Sequence, residues 1–187
     1  MKALGRPLLL LFTVGMLLTA VVCDAAQTVS EYDVEAAYLY NFGKFVRWPA
    51  DAMSGSRSFD ICVLGRDPFG ARLDQLIAND QMEGKPIRKR LIAHASEAAG
   101  CAIVYIADSE AANREKIISA LDGKGCLTVS GLPHFLEDGG TIQFLVEDKR
   151  VRFAVNLDAA AKSRLVLSSE LLKVAMSVTG RQSGGPR

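Results

Sequence analysis

Two histidines and four cysteines are the side chains of this sequence best suited to bind a metal or to act as a nucleophile. His94 and His134 lie 40 positions apart, and neither belongs to a recognisable catalytic pair. Either could act as a general base, although an ordinary surface position explains each of them better. Because no two cysteines form a Cys-x-x-Cys pair, a structural zinc site is not predicted.

A second candidate for chemistry is the segment 65–70, which has the two-glycine spacing that begins a phosphate-binding loop. Ala71 and Arg72 follow, where such a loop needs Lys and Ser or Thr to reach the phosphates and magnesium. Asp108 and Glu110 follow a predicted strand and would face the crevice of an α/β sheet, although helix capping explains them equally well. The sequence therefore predicts no catalytic residue, no metal and no cofactor.

The cysteines are more informative as disulfide partners. Cys62 lies in the first predicted strand and Cys101 begins the third, and these two strands are often neighbours in doubly wound sheets. Adjacent strands lie about 4.8 Å apart, within the reach of a disulfide. Cys62 and Cys101 are thus the natural pair in a secreted chain. Cys126 would be a buried free thiol, unless Cys23 survives processing and pairs with it.

Residues 1–25 have the plan of a secretory signal peptide. Two basic residues precede an almost wholly apolar stretch over 8–22, and small residues surround the expected cleavage site after Ala25. The apolar run of about 15 residues is shorter than the roughly 20 that cross a bilayer. We therefore predict export with removal of this leader. An uncleaved anchor and a lipid attached to Cys23 are the alternatives.

Composition indicates one globular domain beyond this leader. The chain of 187 residues is 49% hydrophobic and 23% charged, with a formal net charge of +1. Removal of the leader leaves equal numbers of acidic and basic side chains, so binding to nucleic acid is not predicted. The remaining length suffices for one well-buried core. We predict a single domain over 26–179 and a frayed tail over 180–187.

Strands and helices alternate along this domain. Ser30 and Asp33 form a predicted capping box for a helix that ends near Arg47, before the Trp48-Pro49 pair. The later elements are predicted as strands at 59–64, 85–92, 101–107 and 126–130, helices at 69–78 and 110–121, a hairpin of 141–147 with 150–156, and helical segments at 158–162 and 168–178. This order is typical of a layered α/β sandwich with a mainly parallel sheet flanked by helices and a C-terminal antiparallel hairpin.

The first predicted helix has apolar residues on two sides. Tyr32 and Leu39 lie on one side, whereas Tyr38, Phe42 and Phe45 lie on another. Such a helix is either buried on two sides or contacts a partner with one of them. From the residues alone both interpretations stay open.

Seven ordered blocks of this sequence resemble the YfiR family of periplasmic repressor proteins. They lie between about Val34 and Ala175, and their order and spacing are more specific than any single block. The blocks are AAYLYNFGKFVRWP at 36–49, ICVLG-x-DPFG at 61–70, C-x-IVYI at 101–106, LTVS at 127–130, GG-x-I-x-F at 139–144, RF-x-VNL-x-x-A at 152–160 and SS-x-LL-x-x-A at 168–175.

The resemblance implies a non-enzymatic periplasmic protein that binds the sensor region of an inner-membrane diguanylate cyclase and holds cyclic-di-GMP synthesis off. It also implies an α/β fold, a tendency to form homodimers and a bridge matching Cys62–Cys101. Some relatives carry a second cysteine pair in the C-terminal half, for which Cys126 has no partner here. The alternative function is a secreted protein that binds a small-molecule ligand in the crevice beyond the first and third strands, without a cyclase partner.

We expect the contacts with a partner or a second copy on two segments, because aromatic and arginine side chains dominate interface energies. The expected residues are Tyr38, Phe42, Phe45, Arg47 and Trp48 on and after the first helix, and Ile142, Arg152 and Asn156 on the hairpin. Core packing is the alternative role for the aromatic residues. Satisfying backbone groups of the hairpin is the alternative for Arg152 and Asn156.

Overall fold

The computed structural model describes residues 30–52 and 55–181 of the chain. The predicted signal peptide over 1–25, Cys23, and residues 182–187 of the predicted tail therefore lie outside the described residues. The helices are α1 (Glu31–Phe45), α2 (Ala71–Ile77), α3 (Arg114–Leu121), α4 (Leu157–Lys162) and α5 (Ser169–Val174), with two short 3-10 helices at Ala95–Ala98 and Asp108–Asn113. The strands are β1 (Val46–Arg47), β2 (Phe59–Leu64), β3 (Gln81–Met82), β4 (Lys85–Ile92), β5 (Cys101–Ile106), β6 (Leu127–Ser130), β7 (Ile142–Glu147), β8 (Arg150–Asn156), β9 (Val166–Leu167) and β10 (Ser177–Thr179).

Eight of these strands form one sheet in the order β10-β8-β7-β6-β5-β2-β4-β3. From β4 to β7 the neighbouring strands run parallel. β8 returns antiparallel to β7, and β10 lies parallel to β8 at the edge. β1 and β9 form a separate antiparallel sheet of two strands. The predicted α/β class, the mainly parallel sheet and the C-terminal hairpin are confirmed.

The central strands β2 and β5 are buried along their whole length, which is the pattern of a parallel strand covered on both faces. Their alternate residues enter two different cores. Ile61 and Tyr105 belong to the larger core beneath α1, whereas Leu64 and Ile106 pack with α3 on the other face. Because alternate residues of a strand face opposite sides of the sheet, one apolar run contributes to the cores on both sides.

Burial on two sides explains the unusual pattern of α1. The helix begins at the predicted capping box, in which the Ser30 side chain accepts from Asp33 and the Asp33 side chain accepts from Ser30. Tyr38 and Phe42 pack against the hairpin, with the Phe42 ring 5.2 Å from that of Phe153. On another side Tyr32 meets Phe69, next to α2.

The pairing of β2 with β5 brings Cys62 and Cys101 together. The two residues form a disulfide, with Cα atoms 5.9 Å apart and a sequence separation of 39. The predicted bridge is confirmed. Cys126 is a free, buried thiol, and burial raises its pKa to about 11. A thiol with so high a pKa is unreactive at neutral pH, because the thiolate is the reactive form.

Two predicted helices differ from the structure. The helix expected over 110–121 begins as the 3-10 helix Asp108–Asn113 and is α-helical only from Arg114. The helix expected over 168–178 ends at Val174, and β10 follows as an edge strand paired with β8. The segment that forms β10 contains β-branched residues, and pairing with β8 supplies its backbone with hydrogen-bond partners that an isolated segment lacks.

Replacement of Lys149 by glycine is expected to stabilise the protein by about 0.5–1 kcal/mol. Asp148 and Lys149 connect β7 to β8 with φ angles of 48° and 60°, a left-handed conformation that glycine adopts without steric cost. The urea unfolding midpoint should therefore rise in Lys149→Gly. Lys173→Gly is the matched control and should lower the midpoint, because Lys173 lies in α5. A lower midpoint in Lys149→Gly would contradict the expectation.

Candidate functional site

Three of the residues expected at an interface belong to the core instead. Phe42 and Ile142 are fully buried, and the indole N–H of Trp48 donates to the backbone oxygen of Ala102 at 2.9 Å beneath the surface. Trp48 also packs edge-on against Phe59. In the folded chain these three side chains have almost no surface to offer, which favours core packing over partner contacts for them.

The remaining expected residues are separated. Asn156 is the N-cap of α4, since its side chain accepts from the Ala159 N–H and donates to the Leu136 oxygen at 2.9 Å. It therefore satisfies backbone groups, the alternative role considered above. Arg152 is exposed and lies on the face of β8 opposite Phe153, away from α1. Tyr38 is half-buried in the aromatic cluster of the hairpin.

Phe45 and Arg47 are brought together at the end of α1. Phe45 keeps 40% of its surface exposed, and Arg47 is exposed in β1. They border a surface groove of about 280 Å³, here called the α1-end groove. The groove is lined by Gly43, Lys44, Phe45, Val46, Arg47, Met82, Glu83, Val166 and Ser168. An exposed aromatic ring with two cations beside it is a composition typical of interface anchors.

Close packing fixes the walls of the α1-end groove. A Cβ on Gly43 would lie 2.7 Å from the Cε of Met82, so a larger residue there would displace the end of the Met82 side chain. On the other side β1 pairs with β9, and the Ser168 N–H donates to the Phe45 oxygen at 2.9 Å. The ammonium group of Lys44 lies over the Tyr40 ring, 4.1 Å from its centroid. These contacts hold the backbone on both sides of Phe45.

A second concave site lies where β5 and β6 end, here called the acidic crevice. It encloses about 310 Å³. Its lining comprises Glu31, Tyr32, Glu35, Tyr105, Asp108, Gly131, Pro133, Gln143, Phe144, Leu145 and Val146. This is the position at the carboxyl ends of parallel strands where α/β sheets bind ligands. Asp108 lines it, whereas Glu110 does not. No residue of β2 lines it, so it differs from the crevice that was expected beyond the first and third predicted strands.

Glu35 is the least expected residue of the acidic crevice. It is only 6% exposed, and the hydroxyl of Tyr105 donates to its Oε2 at 3.1 Å. Burial raises the pKa of Glu35 to about 7, although the bond from Tyr105 acts in the opposite direction. Tyr32 donates to Asp108 at 3.2 Å nearby. The sequence analysis did not select Glu35. The pattern that could have identified it is a carboxylate among the apolar positions of α1.

The other candidates for chemistry lie apart from both sites. His94 caps the 3-10 helix Ala95–Ala98, and His134 is exposed and bonded to Glu137. The side chains of Ser109 and Glu110 pack against Gly65. They occupy the space that a phosphate would need in order to reach the backbone of segment 65–70. Among residues 30–52 and 55–181, no group of three or more His, Cys, Asp or Glu side chains is arranged to hold a metal ion. In the same residues no helix is long and apolar enough to cross a bilayer.

Fold and surfaces together define a layered α/β domain with a groove at the end of α1 and an acidic crevice beside the sheet. The chain belongs to the YfiR/HmsC-like family, whose model matches residues 32–176. No curated protein is detectably similar to the chain in sequence.

Two solved structures resemble the fold. A conserved domain protein from Vibrio cholerae O1 biovar El Tor superposes with a TM-score of 0.54 at 12% identity, covering 80% of this chain and 60% of that one. The chain therefore spans less than two thirds of that structure. The ABC domain in complex with L-Trp from Streptococcus pneumonia has a TM-score of 0.48 at 11% identity, over 69% of this chain and 57% of that one. At these identities the first likeness shows the fold alone.

Proposed function

We propose that this protein is a periplasmic repressor that binds the sensor region of an inner-membrane diguanylate cyclase and holds cyclic-di-GMP synthesis off. Family membership and the predicted signal peptide over residues 1–25 support this role. The observation that carries it is the exposed Phe45 beside Arg47 in the α1-end groove. In this role the protein acts by binding the cyclase sensor and needs no catalytic residue or cofactor.

Repression requires a preference between two states of the cyclase. A bound protein shifts an equilibrium only by the difference between its affinities for the two states. A groove with fixed walls suits this task, because a preorganised surface loses little entropy when it binds. In the α1-end groove the pairing of β1 with β9 holds one wall, and Gly43 lets the Met82 side chain pack against α1 at the other.

Loss of the Phe45 ring is expected to weaken binding to the cyclase sensor about thirtyfold, since an interface anchor typically contributes about 2 kcal/mol. The measurement is the affinity of the purified protein for the periplasmic sensor domain of an inner-membrane diguanylate cyclase from the same genome. Leu91→Ala is the matched control, because Leu91 is an exposed apolar side chain on β4 and outside the α1-end groove. It should leave the affinity unchanged.

The same variants test the proposal in cells. Deletion of the gene should raise cyclic-di-GMP and promote biofilm in cells that express the cyclase whose sensor domain binds the protein. Phe45→Ala should partly reproduce the deletion, whereas Leu91→Ala should not. An unchanged cyclic-di-GMP level after deletion would refute the repressor proposal. Equal affinity of Phe45→Ala and the unaltered protein would refute the assignment of the α1-end groove.

The implied homodimer is a separate proposal, for which the C-terminal edge of the sheet offers a surface. Val174, Met176 and Val178 are all exposed there, on and beside the edge strand β10. Exposed apolar residues at a free strand edge favour pairing with another chain.

A small-molecule-binding role is the second candidate function, and the observation in its favour is the buried carboxylate of the acidic crevice.

A further inference from the structure

We propose that the acidic crevice binds a small organic cation with a primary ammonium group and a short apolar chain. This site is distinct from the α1-end groove and does not depend on a cyclase partner. The inference rests on the sign of the charges around the crevice, on the orientation of Glu35 and on the apolar walls.

Every charged side chain that lines the acidic crevice is negative. Glu31, Glu35 and Asp108 supply the carboxylates, and the lining includes no Lys, Arg or His. Low-dielectric walls focus the field of such groups toward the enclosed space and attract cations. A metal ion fits poorly, because no three metal-ligating side chains converge among the described residues. An organic cation needs no such convergence, since one or two carboxylates suffice to pair an ammonium group.

The orientation of Glu35 is the second, independent observation. The Tyr105 hydroxyl donates a hydrogen bond to Oε2 of Glu35, whereas Oε1 accepts no hydrogen bond from the described residues. Oε1 lies beside Gly131 on the crevice wall, 3.9 Å from where a Cβ on that residue would stand. Glu35 is more than nine-tenths buried, and ionisation of a buried carboxyl is costly unless a cation pairs with it. The unpaired oxygen faces the space where such a partner fits.

Apolar and aromatic groups form the rest of the acidic crevice. Tyr32, Phe144, Val146 and Pro133 line it beside the carboxylates. Aromatic faces attract cations and pack well against an alkyl chain. The volume of about 310 Å³ lies at the small end of ligand pockets, which suits a molecule of a few carbon atoms.

Protonation of Glu35 couples this binding to pH. Burial raises the pKa of Glu35 to about 7, with smaller contributions from the charges of Asp108 and Glu31. The other groups that face it are the hydroxyls of Tyr32 and Tyr105, whose pKa values are both raised above 10. Because an ammonium group pairs with the ionised carboxylate, affinity should rise roughly tenfold from pH 6 to pH 8. At pH 6 binding should also release a proton.

Isothermal titration calorimetry of the mature protein with pentylamine tests the site. Pentanol and valerate are the matched probes, with the same chain but no charge or the opposite charge. We expect heat of binding from pentylamine alone. Glu35→Gln should weaken it at least tenfold and remove the pH dependence. Asp108→Asn should weaken it several-fold without affecting folding, because Asp108 is exposed. Glu115→Gln, an exposed carboxylate outside the crevice, should bind like the unaltered protein.

Three outcomes would overturn the proposal. They are equal binding of pentanol or valerate, unchanged pentylamine affinity in a folded Glu35→Gln variant, and the absence of both heat and NMR shifts at millimolar pentylamine. Thermal unfolding of each variant establishes that it is folded before it is titrated. Since no cyclase is present, failure of this experiment leaves the repressor proposal untouched, and failure of the repressor proposal leaves this site untouched.

Discussion

Replacement of both Cys62 and Cys101 by alanine is expected to lower the free energy of unfolding by about 4 kcal/mol. The disulfide closes a loop of 39 residues between neighbouring strands, so its loss frees that loop in the unfolded chain. Both positions are buried in the middle layer of the molecule. Because a domain of this size has a total stability on the order of 5–15 kcal/mol, this is a large fraction of it.

Cys126→Ala is the matched control for this prediction. It removes a buried sulfur without opening a covalent loop, so its cost should be on the order of 1 kcal/mol. Guanidinium unfolding in the absence and presence of a reductant measures both effects. Reduction should bring the unaltered protein close to the double variant and leave the double variant unchanged. Equal stabilities of the oxidised protein and the double variant would contradict the prediction.

The second large effect is a gain in stability on replacement of Glu35 by glutamine above neutral pH. The pKa of Glu35 is about 7 in the folded protein, against an ordinary value of 4.5. Below pH 4.5 the group is protonated in both states and has no effect. As the pH rises from 4.5 to 7, the unfolded chain ionises first, and the folded state loses about 3 kcal/mol relative to it. Glutamine avoids this loss because it stays neutral.

The test compares thermal unfolding of Glu35→Gln and the unaltered protein at pH 4 and pH 8. We expect nearly equal melting temperatures at pH 4 and an increase of roughly 6–12 °C in the variant at pH 8. The glutamine carbonyl can accept from Tyr105, and its amide group can meet water in the acidic crevice. Glu115→Gln should shift neither value, because Glu115 is exposed. A variant that is less stable at pH 8 would show that the ionised carboxylate is satisfied in the fold.

Local sequence patterns were sufficient to predict most of the sheet. β2, β4 and β5 lie at or within a residue of the predicted ranges because each is an apolar or alternating run bounded by turn residues. The two-residue strands β1, β3 and β9 have no such signal, since their pairing depends on partners far along the chain. β10 was predicted as helix for the same reason. Its conformation depends on the free edge of β8.

The candidate sites were harder to predict than the strands. A sequence shows that Phe42, Phe45 and Trp48 are aromatic but not which of them the hairpin covers. Packing against Phe144 and Phe153 buries Phe42, while Phe45 lies beyond the reach of that cluster. Glu35 was missed because the low polarity around it comes from β5 and the loop after β6, which are distant in sequence. The raised pKa is thus a property of tertiary structure.

The pairing of β1 with β9 has a consequence for how the chain folds. Val46 lies opposite Leu167, so the two-stranded sheet joins residues from the two ends of the domain. Such non-local pairing raises the contact order, and loop-closure entropy delays it until most other structure has formed. If the chain is exported from its N-terminus, α1 emerges first but meets its last partner only when residues 166–167 follow. Premature closure of the fold before translocation is thereby disfavoured, and truncation before β9 should leave the apolar side of β1 open to proteolysis.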